Sequence, residues 1–543
     1  MTRRKRIVSL LLAVGLGLSI TACGGDNAAD TTQDPEPSSP SSNPSAQAEE
    51  NDTFTAAINS MPAALTPTEL TAGDDDYVSL TRPLYDRLFQ ETADGFDYYL
   101  ADSVTISDDG LLYTVHLNED ATWSDGKPIT VDDCLLYVNY SIAKTGRSNL
   151  ASVNGQDVTF NKVDDKTLEI TLPEPYAYYI VYLSNCSPYP AHIFDNDPNK
   201  MLEDTTYYTK PGMVTSGPYT VSEINEDSLV YTARDDYYRG TPQVKTIIMK
   251  TTGTGASRAV AFENGEIDYM RITTAEELEK YSGQPDQYNI FSIPEARLNY
   301  LQINPEGPAA LTLEQRQALF YAINGQEVID AAYGSDQLAT TANTLLTPEQ
   351  SLYNPACQGY TYDLDLAKQM AEESGLSGKS LTYIYNSERP NMEAIAIVLE
   401  QQLAQIGVTL QIEGLDTSTF FDRMYANMYG TGLENTWDLG TNGWDSMRGS
   451  TLRLAFGALS GNSGYWGFSD QVADLALSVN TTADPSVSKE RAYELQDLAM
   501  SEHWIYPLTY TNYVMVAHKN VEGLDCSPVI PEFVDWLGIT VNN

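Results

Sequence analysis

One junction constrains the fold of this chain more than any other: a helical stripe that runs into a strand across a single glycine. Met392, Ile395, Leu399, Leu403 and Ile406 recur every three or four residues. That spacing puts them on one buried face of a helix opening at Asn391. Gly407 suits the left-handed turn that closes a helix, and VTLQI at 408–412 then alternates as a strand does. A helix passing at once into a strand is an α/β unit. Other segments agree. Thr312 and Gln315 form a capping box ahead of LEQRQALFYAING, which stops near Gly325. Residues 363–375 read as a further amphipathic helix, and 111–117, 167–172 and 244–249 read as strands. The expected class is α/β, with strands concentrated early.

The N-terminal end carries a different message. MTRRKR has four positive charges and no acid, and the fourteen residues IVSLLLAVGLGLSI follow it. A permanent membrane helix needs about twenty such residues. A charged start, a short apolar core and small residues before a cut site make a secretory signal peptide, here 1–22. Ile20-Thr21-Ala22-Cys23 resembles the bacterial lipobox, whose cysteine is acylated and becomes the new first residue. That resemblance implies a lipid on Cys23 and an extracytoplasmic protein anchored to the cell membrane. Residues 23–52 are rich in Ser, Pro, Ala and acids and hold no aromatic residue, so they cannot bury enough apolar surface to order themselves. They read as a disordered tether, with the folded part beginning near Thr53.

Charge and motif content exclude several functions. Cleavage would leave 27 Lys and Arg against 75 Asp and Glu, a balance of −48. A nucleic-acid partner calls for a basic surface, so none is expected. His116, His192, His503 and His518 are dispersed, with no H-E-x-x-H and no G-x-S-x-G. The run from Asp195 fails as a calcium loop, with Lys200 and Thr206 where Gly and Glu belong. The Gly253 and Gly430 pairs lack the third glycine of a dinucleotide fingerprint. The expectation is a protein that is not an enzyme and uses no cofactor or metal. Cys134, Cys186, Cys357 and Cys526 occur without C-x-x-C. Three pairings are open to them; Cys134–Cys186 and Cys357–Cys526 are the expected ones.

Several of these elements fall in the order of a known family. LADSVTISDDGLLYTVHLNEDATWSDGKPITVDDCLLYVNY at 100–140 resembles the signature region of family 5 extracellular solute-binding proteins, the peptide- and nickel-type receptors of ABC importers. TSGPYTVSEI at 215–224, DDYYRGTPQVKTIIMK at 235–250, AFENGEIDYM at 261–270, LNYLQINPE at 298–306, LEQRQALFYAING at 313–325 and LEQQLAQIGVTLQIEGLD at 399–416 extend the match. The resemblance implies a two-lobed periplasmic-binding-protein-like α/β fold with an extra inserted subdomain, closing over a central cleft. Lobe I would comprise 53–97, 216–300 and 505–543, with the inserted subdomain at 98–215. Lobe II would comprise 301–504, and hinge strands would cross near 295–303 and 500–508. The implied partners are a peptide ligand, an oligopeptide or dipeptide, and the permease and ATPase subunits of an importer; the protein itself is expected to be a monomer.

The resemblance also nominates site residues. Peptide binders of the family carry a G-W-x-x-D run whose Asp holds the ligand's α-amino group. Here Gly443 and Trp444 match, while Met447 occupies the Asp position and Asp445 lies two residues earlier. Asp445 is either a substitute for that Asp or a turn residue, and Trp444 either a pocket wall or a core anchor. Dipeptide-type members place an Arg-Pro in the second lobe against the ligand carboxylate. Arg389-Pro390 stands at the corresponding place, and an arginine fork suits a carboxylate; the alternative is a surface Arg paired with Glu388. Arg316 matches the family as a helix residue. The alternatives to peptide binding are the same fold holding an oligosaccharide or metal chelate, or a surface sensor or adhesin. Met447 and the 36 tyrosines favour the former.

Overall fold

The computed structural model describes residues 52–67, 80–92, 95–146, 148–253, 255–389, 391–429, 432–445, 466–524 and 536–542. The leader, Cys23, the tether, Met447 and Cys526 lie outside them. The fold is two-lobed and α/β. Thr53–Ile58 pairs parallel with Thr246–Thr251, which pairs antiparallel with Ser228–Ala233 and on to Tyr219–Ile224. Chain that leaves after the first of these strands returns only at Tyr219. Part of that excursion forms a separate antiparallel sheet of Ala101–Ile106, Leu112–Leu117, Thr167–Thr171 and Thr159–Lys162. Its core includes Trp123, Val115 and Ile170, all buried.

The largest sheet among the described residues has seven strands. Six run in the order Tyr269–Ile272, Ile505–His518, Tyr288–Ile303, Leu439–Asp445, Ser380–Asn386 and Thr409–Leu415, and Ala339–Thr341 pairs with Ile505–His518. Its two longest strands, Tyr288–Ile303 and Ile505–His518, pair along nearly their whole length. Met515 and Ala517 pack into the core of the first sheet. Val514 and Val516, which alternate with them, join Leu301, Ile303, Tyr506 and Leu508 in the core around Leu319, Leu399 and Leu439. Ile505–His518 therefore serves two cores, one from each face.

The opening junction forms as its pattern requires. The helix is Met392–Ala404, with Ile395, Leu399 and Leu403 at zero exposure. Gly407 takes φ +79, and the strand Thr409–Leu415 pairs parallel with Ser380–Asn386. The Thr312 box forms both of its bonds, at 3.3 and 3.4 Å. Asp363 caps Leu364–Glu373 through the Leu366 amide. Arg316 is buried under Trp504, 3.5 Å from its ring centroid, and donates to the carbonyls of Leu311 and Glu502; its role there is structural. No described helix is long and apolar enough to cross a membrane.

Candidate functional site

The site is set by strand ends. Ser380–Asn386 runs parallel to both Thr409–Leu415 and Leu439–Asp445, so Asn386, Leu415 and Asp445 finish on the same edge. Ligands of open α/β sheets bind in the crevice beyond such carboxyl ends. Immediately past Asn386 the chain makes a tight turn into the Met392–Ala404 helix. Asn386 pins that turn. Its Oδ1 accepts the Glu388 N–H at 3.0 Å, its carbonyl accepts the Arg389 N–H at 3.3 Å, and its Nδ2 donates to Thr417 Oγ1 at 3.0 Å. Asn391 then sits at φ +65, a left-handed conformation that asparagine tolerates better than most residues.

A second device lies on the facing strand. Pro294 pairs with Asn512 and Arg297 with Thr511, so Glu295 and Ala296 are extra residues with no ladder partner. Ala296 takes φ +49, a costly angle for a residue with a Cβ. Bulges bend a strand and re-aim its side chains beside functional sites. Here the bulge turns Glu295 inward, leaving it 2% exposed. Its Oε2 accepts from Arg271 Nη2 at 2.8 Å and from the Thr511 hydroxyl at 2.6 Å. Burial raises the acid's pKa, but the guanidiniums of Arg271 and Arg297 outweigh it and hold Glu295 below its ordinary value. Arg271 also stacks 4.4 Å over the Tyr513 ring. Arg297 Nε donates to Asn299 Oδ1 at 3.2 Å, and the Asn299 amide donates to Tyr333 Oη and Thr509 Oγ1. Asn299 is thus fixed on both sides and aims Arg297.

These groups line one cavity of about 630 Å³, counting the solvent at its mouth. Its polar wall includes Arg271, Glu295, Arg297, Asn299, Arg389 and Thr511, together with Thr273, Asn391 and Asn512. The cavity joins the paired strands Tyr288–Ile303 and Ile505–His518 to the Arg389 turn.

Of the residues nominated from sequence, Arg389 lines this cavity, with its guanidinium 5.6 Å from the Phe421 ring centroid. Glu388, the acid beside it, accepts from the Thr417 hydroxyl at 2.6 Å and the Thr417 amide at 3.3 Å. Gly443 pairs with Asn299, and Asp445 pairs with Arg297. A Cβ on Gly443 would meet Asn299 Oδ1 at 2.4 Å and Arg297 Nη2 at 2.9 Å. The glycine leaves room for the very groups that orient Arg297. Trp444 is 6% exposed and packs against Tyr300 and Trp466, with centroids at 4.5 and 5.6 Å. It sits in a core cluster and is absent from the cavity wall. Met447 lies outside the described residues.

Arg271, Glu295, Arg297 and Asn299 were not anticipated. The one local signal was P-E-A-R-L-N at 294–299, charge interrupting an otherwise apolar strand. Cys134 and Cys186 are both buried thiols in one core, and hydrogen bonding to the Cys186 thiol, then burial, push the Cys134 thiol up. Cys357 is a buried thiol near the Asn343 carbonyl, at 3.5 Å; its expected partner Cys526 is outside the described residues. His503 packs against Phe320 and Tyr360, and burial lowers its pKa.

Comparison with known proteins places this geometry in context. Residues 96–452 match the bacterial extracellular solute-binding proteins, family 5 Middle. A Brucella ovis protein named for ABC-transporter peptide binding is 28% identical over 340 residues, 60% of this chain and 62% of that relative. The match thus spans under two thirds of the relative's own length. The dipeptide-binding protein of Escherichia coli K12 is 24% identical over 394 residues, 67% of this chain and 71% of that one. The crystal structure of the ABC transporter substrate-binding protein CtaP from Listeria monocytogenes superposes with a TM-score of 0.82 at 27% identity, covering 91% of this chain and all of that one.

Proposed function

The chain belongs to the bacterial extracellular solute-binding proteins of family 5, and from that premise we propose that it is the peptide-binding component of an ABC importer. The observation that supports the reading is one cavity whose wall combines the Arg389 turn with the Arg271–Glu295–Arg297 group. A ligand touching both halves binds best when they are closed, so binding shifts the population toward the closed state. Closure then reports a loaded receptor to a membrane permease and its ATPase. The lipid on Cys23 and the tether to residue 52 would keep the monomer at the membrane surface.

Within the cavity, Arg389 is the proposed partner of the peptide's carboxylate, through the paired bonds that an arginine fork offers. Gly443 acts by leaving space, and Trp444 by holding the strand that carries it. Asp445, opposite Arg297 in register, is the proposed replacement for an acid at Met447. Tyr333 is the one aromatic ring on the described cavity wall, an arrangement poor for stacking sugars and supportive of the peptide reading. Native mass spectrometry of the protein as purified tests the reading, since a closed receptor retains cargo. Peptide masses released on denaturation are the expected result; masses of sugars or metal chelates alone would refute it.

A further inference from the structure

The sheet of Ala101–Ile106, Leu112–Leu117, Thr167–Thr171 and Thr159–Lys162 is packed around Trp123, Val115 and Ile170. The helices Asp470–Asn480 and Pro485–Ser501 belong to a different core, where Val472, Ala476, Val479 and Leu495 join Tyr300 and Trp444. Among the described residues these two cores have no member in common. The two bodies nevertheless touch at their loops. The Ala177 N–H donates to the Asn480 carbonyl at 2.8 Å. Gly110 lies against the turn between the helices: a Cβ there would stand 2.9 Å from Ala483 Cβ and 3.5 Å from Pro175 Cβ. We propose that this contact is a latch, which holds the two bodies together and sets how long the closed receptor stays closed. The proposal deepens the receptor reading above and rests on it for its purpose.

Both faces of the contact are built before they meet. Gly110 sits at φ +70 in a turn whose Ser107 carbonyl accepts the Gly110 N–H at 2.8 Å and whose Asp109 Oδ1 accepts the Ser107 hydroxyl at 2.6 Å. The Tyr176 carbonyl, one residue before Ala177, accepts the Tyr113 hydroxyl at 3.4 Å. On the helices, the Val479 carbonyl accepts the Ser488 hydroxyl at 2.8 Å and the Ser478 carbonyl accepts Arg491 Nη1 at 2.6 Å. The next carbonyl, that of Asn480, is the one Ala177 takes. A cost opposes this bond. The Asn480 side chain is 4% exposed, and its Oδ1 accepts no hydrogen bond from the protein. A buried acceptor left without a partner is unfavourable, and opening to water removes the penalty. One backbone bond and a close fit of small residues against one orphaned oxygen is a contact near balance, as a latch requires. The helices also reach the cavity. Leu298 and Tyr300 share their core and alternate along one strand with the cavity residues Arg297 and Asn299, so a latch that holds the helices holds the body carrying that wall.

Hydrogen exchange of the mature protein, stripped of cargo, tests the latch, because the Ala177 amide exchanges only while its bond is open. Asn480→Ala removes the orphaned oxygen and keeps the carbonyl, so exchange at Ala177 should slow by about fivefold or more. Ala483→Trp forces a ring between the two faces and should speed it by about tenfold or more, with Ala483→Leu acting in the same direction to a lesser degree. Exchange in the strand Leu112–Leu117 and the helix Asp470–Asn480 should match wild type in every variant, which shows that both bodies stay folded. Small-angle scattering should give Ala483→Trp a larger radius of gyration than wild type. An Ala177 amide as fast as free chain in wild type, or one that Asn480→Ala and the Ala483 variants all speed or leave alone, would overturn the latch. Lost protection with an unchanged radius would also overturn its role in closure. No ligand is added, so each of these outcomes leaves the peptide reading standing, whereas sugar or chelate cargo in the native mass spectrum would refute that reading and leave the latch.

Discussion

Replacing Glu295 by Gln removes a charge and little else. The carboxylate accepts two described bonds, from Arg271 at 2.8 Å and Thr511 at 2.6 Å. A bond to a charged group contributes about 1.5–3 kcal/mol and a neutral one about 0.5–1.5. The amide oxygen of Gln can keep both bonds in neutral form, so the loss is about 1 kcal/mol per bond. The Arg271 side chain is 37% exposed, and solvent screening reduces its share. Gln also escapes the cost of burying a charge. The net expectation is a destabilisation of about 1–2 kcal/mol at pH 7. The sign with pH follows from the depressed folded-state pKa. The wild-type advantage is fully present above the unfolded value of 4.5 and is lost as pH falls through the folded one. Urea unfolding followed by tryptophan fluorescence, at pH 7 and at steps down to pH 3, reads the gap directly. It should close with acid. A gap that is absent at pH 7, or constant down to pH 3, would show that the ion pair does not hold the bulge.

Arg389→Ala should weaken a peptide with a free carboxylate by ~2 kcal/mol or more, about thirtyfold, and its C-terminal amide by less than threefold; equal losses, measured by calorimetry, would clear Arg389 of the carboxylate role. Burial raises the Asp86 pKa from 3.8 to about 6 against lowering bonds from Tyr237 and Tyr238. A raised acid stabilises the fold where it is protonated, so wild-type stability should fall by about 3 kcal/mol relative to Asp86→Asn between pH 4 and 6 and hold level above. Parallel urea midpoints for the two proteins across that window would refute this. The side-by-side Cys134 and Cys186 thiols are proposed to form a disulfide in the exported protein by exchange with an oxidising disulfide, which takes up their two electrons and two protons. Intact mass should drop by two hydrogens relative to the reduced form, and both cysteines should resist alkylation until reduced; full alkylation of unreduced, denatured protein would show that the pair stays open.

What the sequence determined by itself was local. The stripe from Met392 to Ile406, the glycine at 407 and the Thr312–Gln315 box each depend on residues within a turn or two of each other. Periodicity and capping therefore disclosed them, and with them the α/β class. Ordered motifs along the chain disclosed the family, and the resemblance nominated Arg389. The tertiary structure decided the rest. Arg271, Arg297 and Arg389 come together only because Tyr288–Ile303 is the shared neighbour of Ile505–His518 and Leu439–Asp445, and because two extra residues turn Glu295 inward. Strand register and a bulge are set by packing among segments distant in sequence, so no window of residues encodes them. The same holds for Trp444, whose ring was equally suited to a cavity wall or a core. Its place was settled by Tyr300 and Trp466, which the fold brings against it.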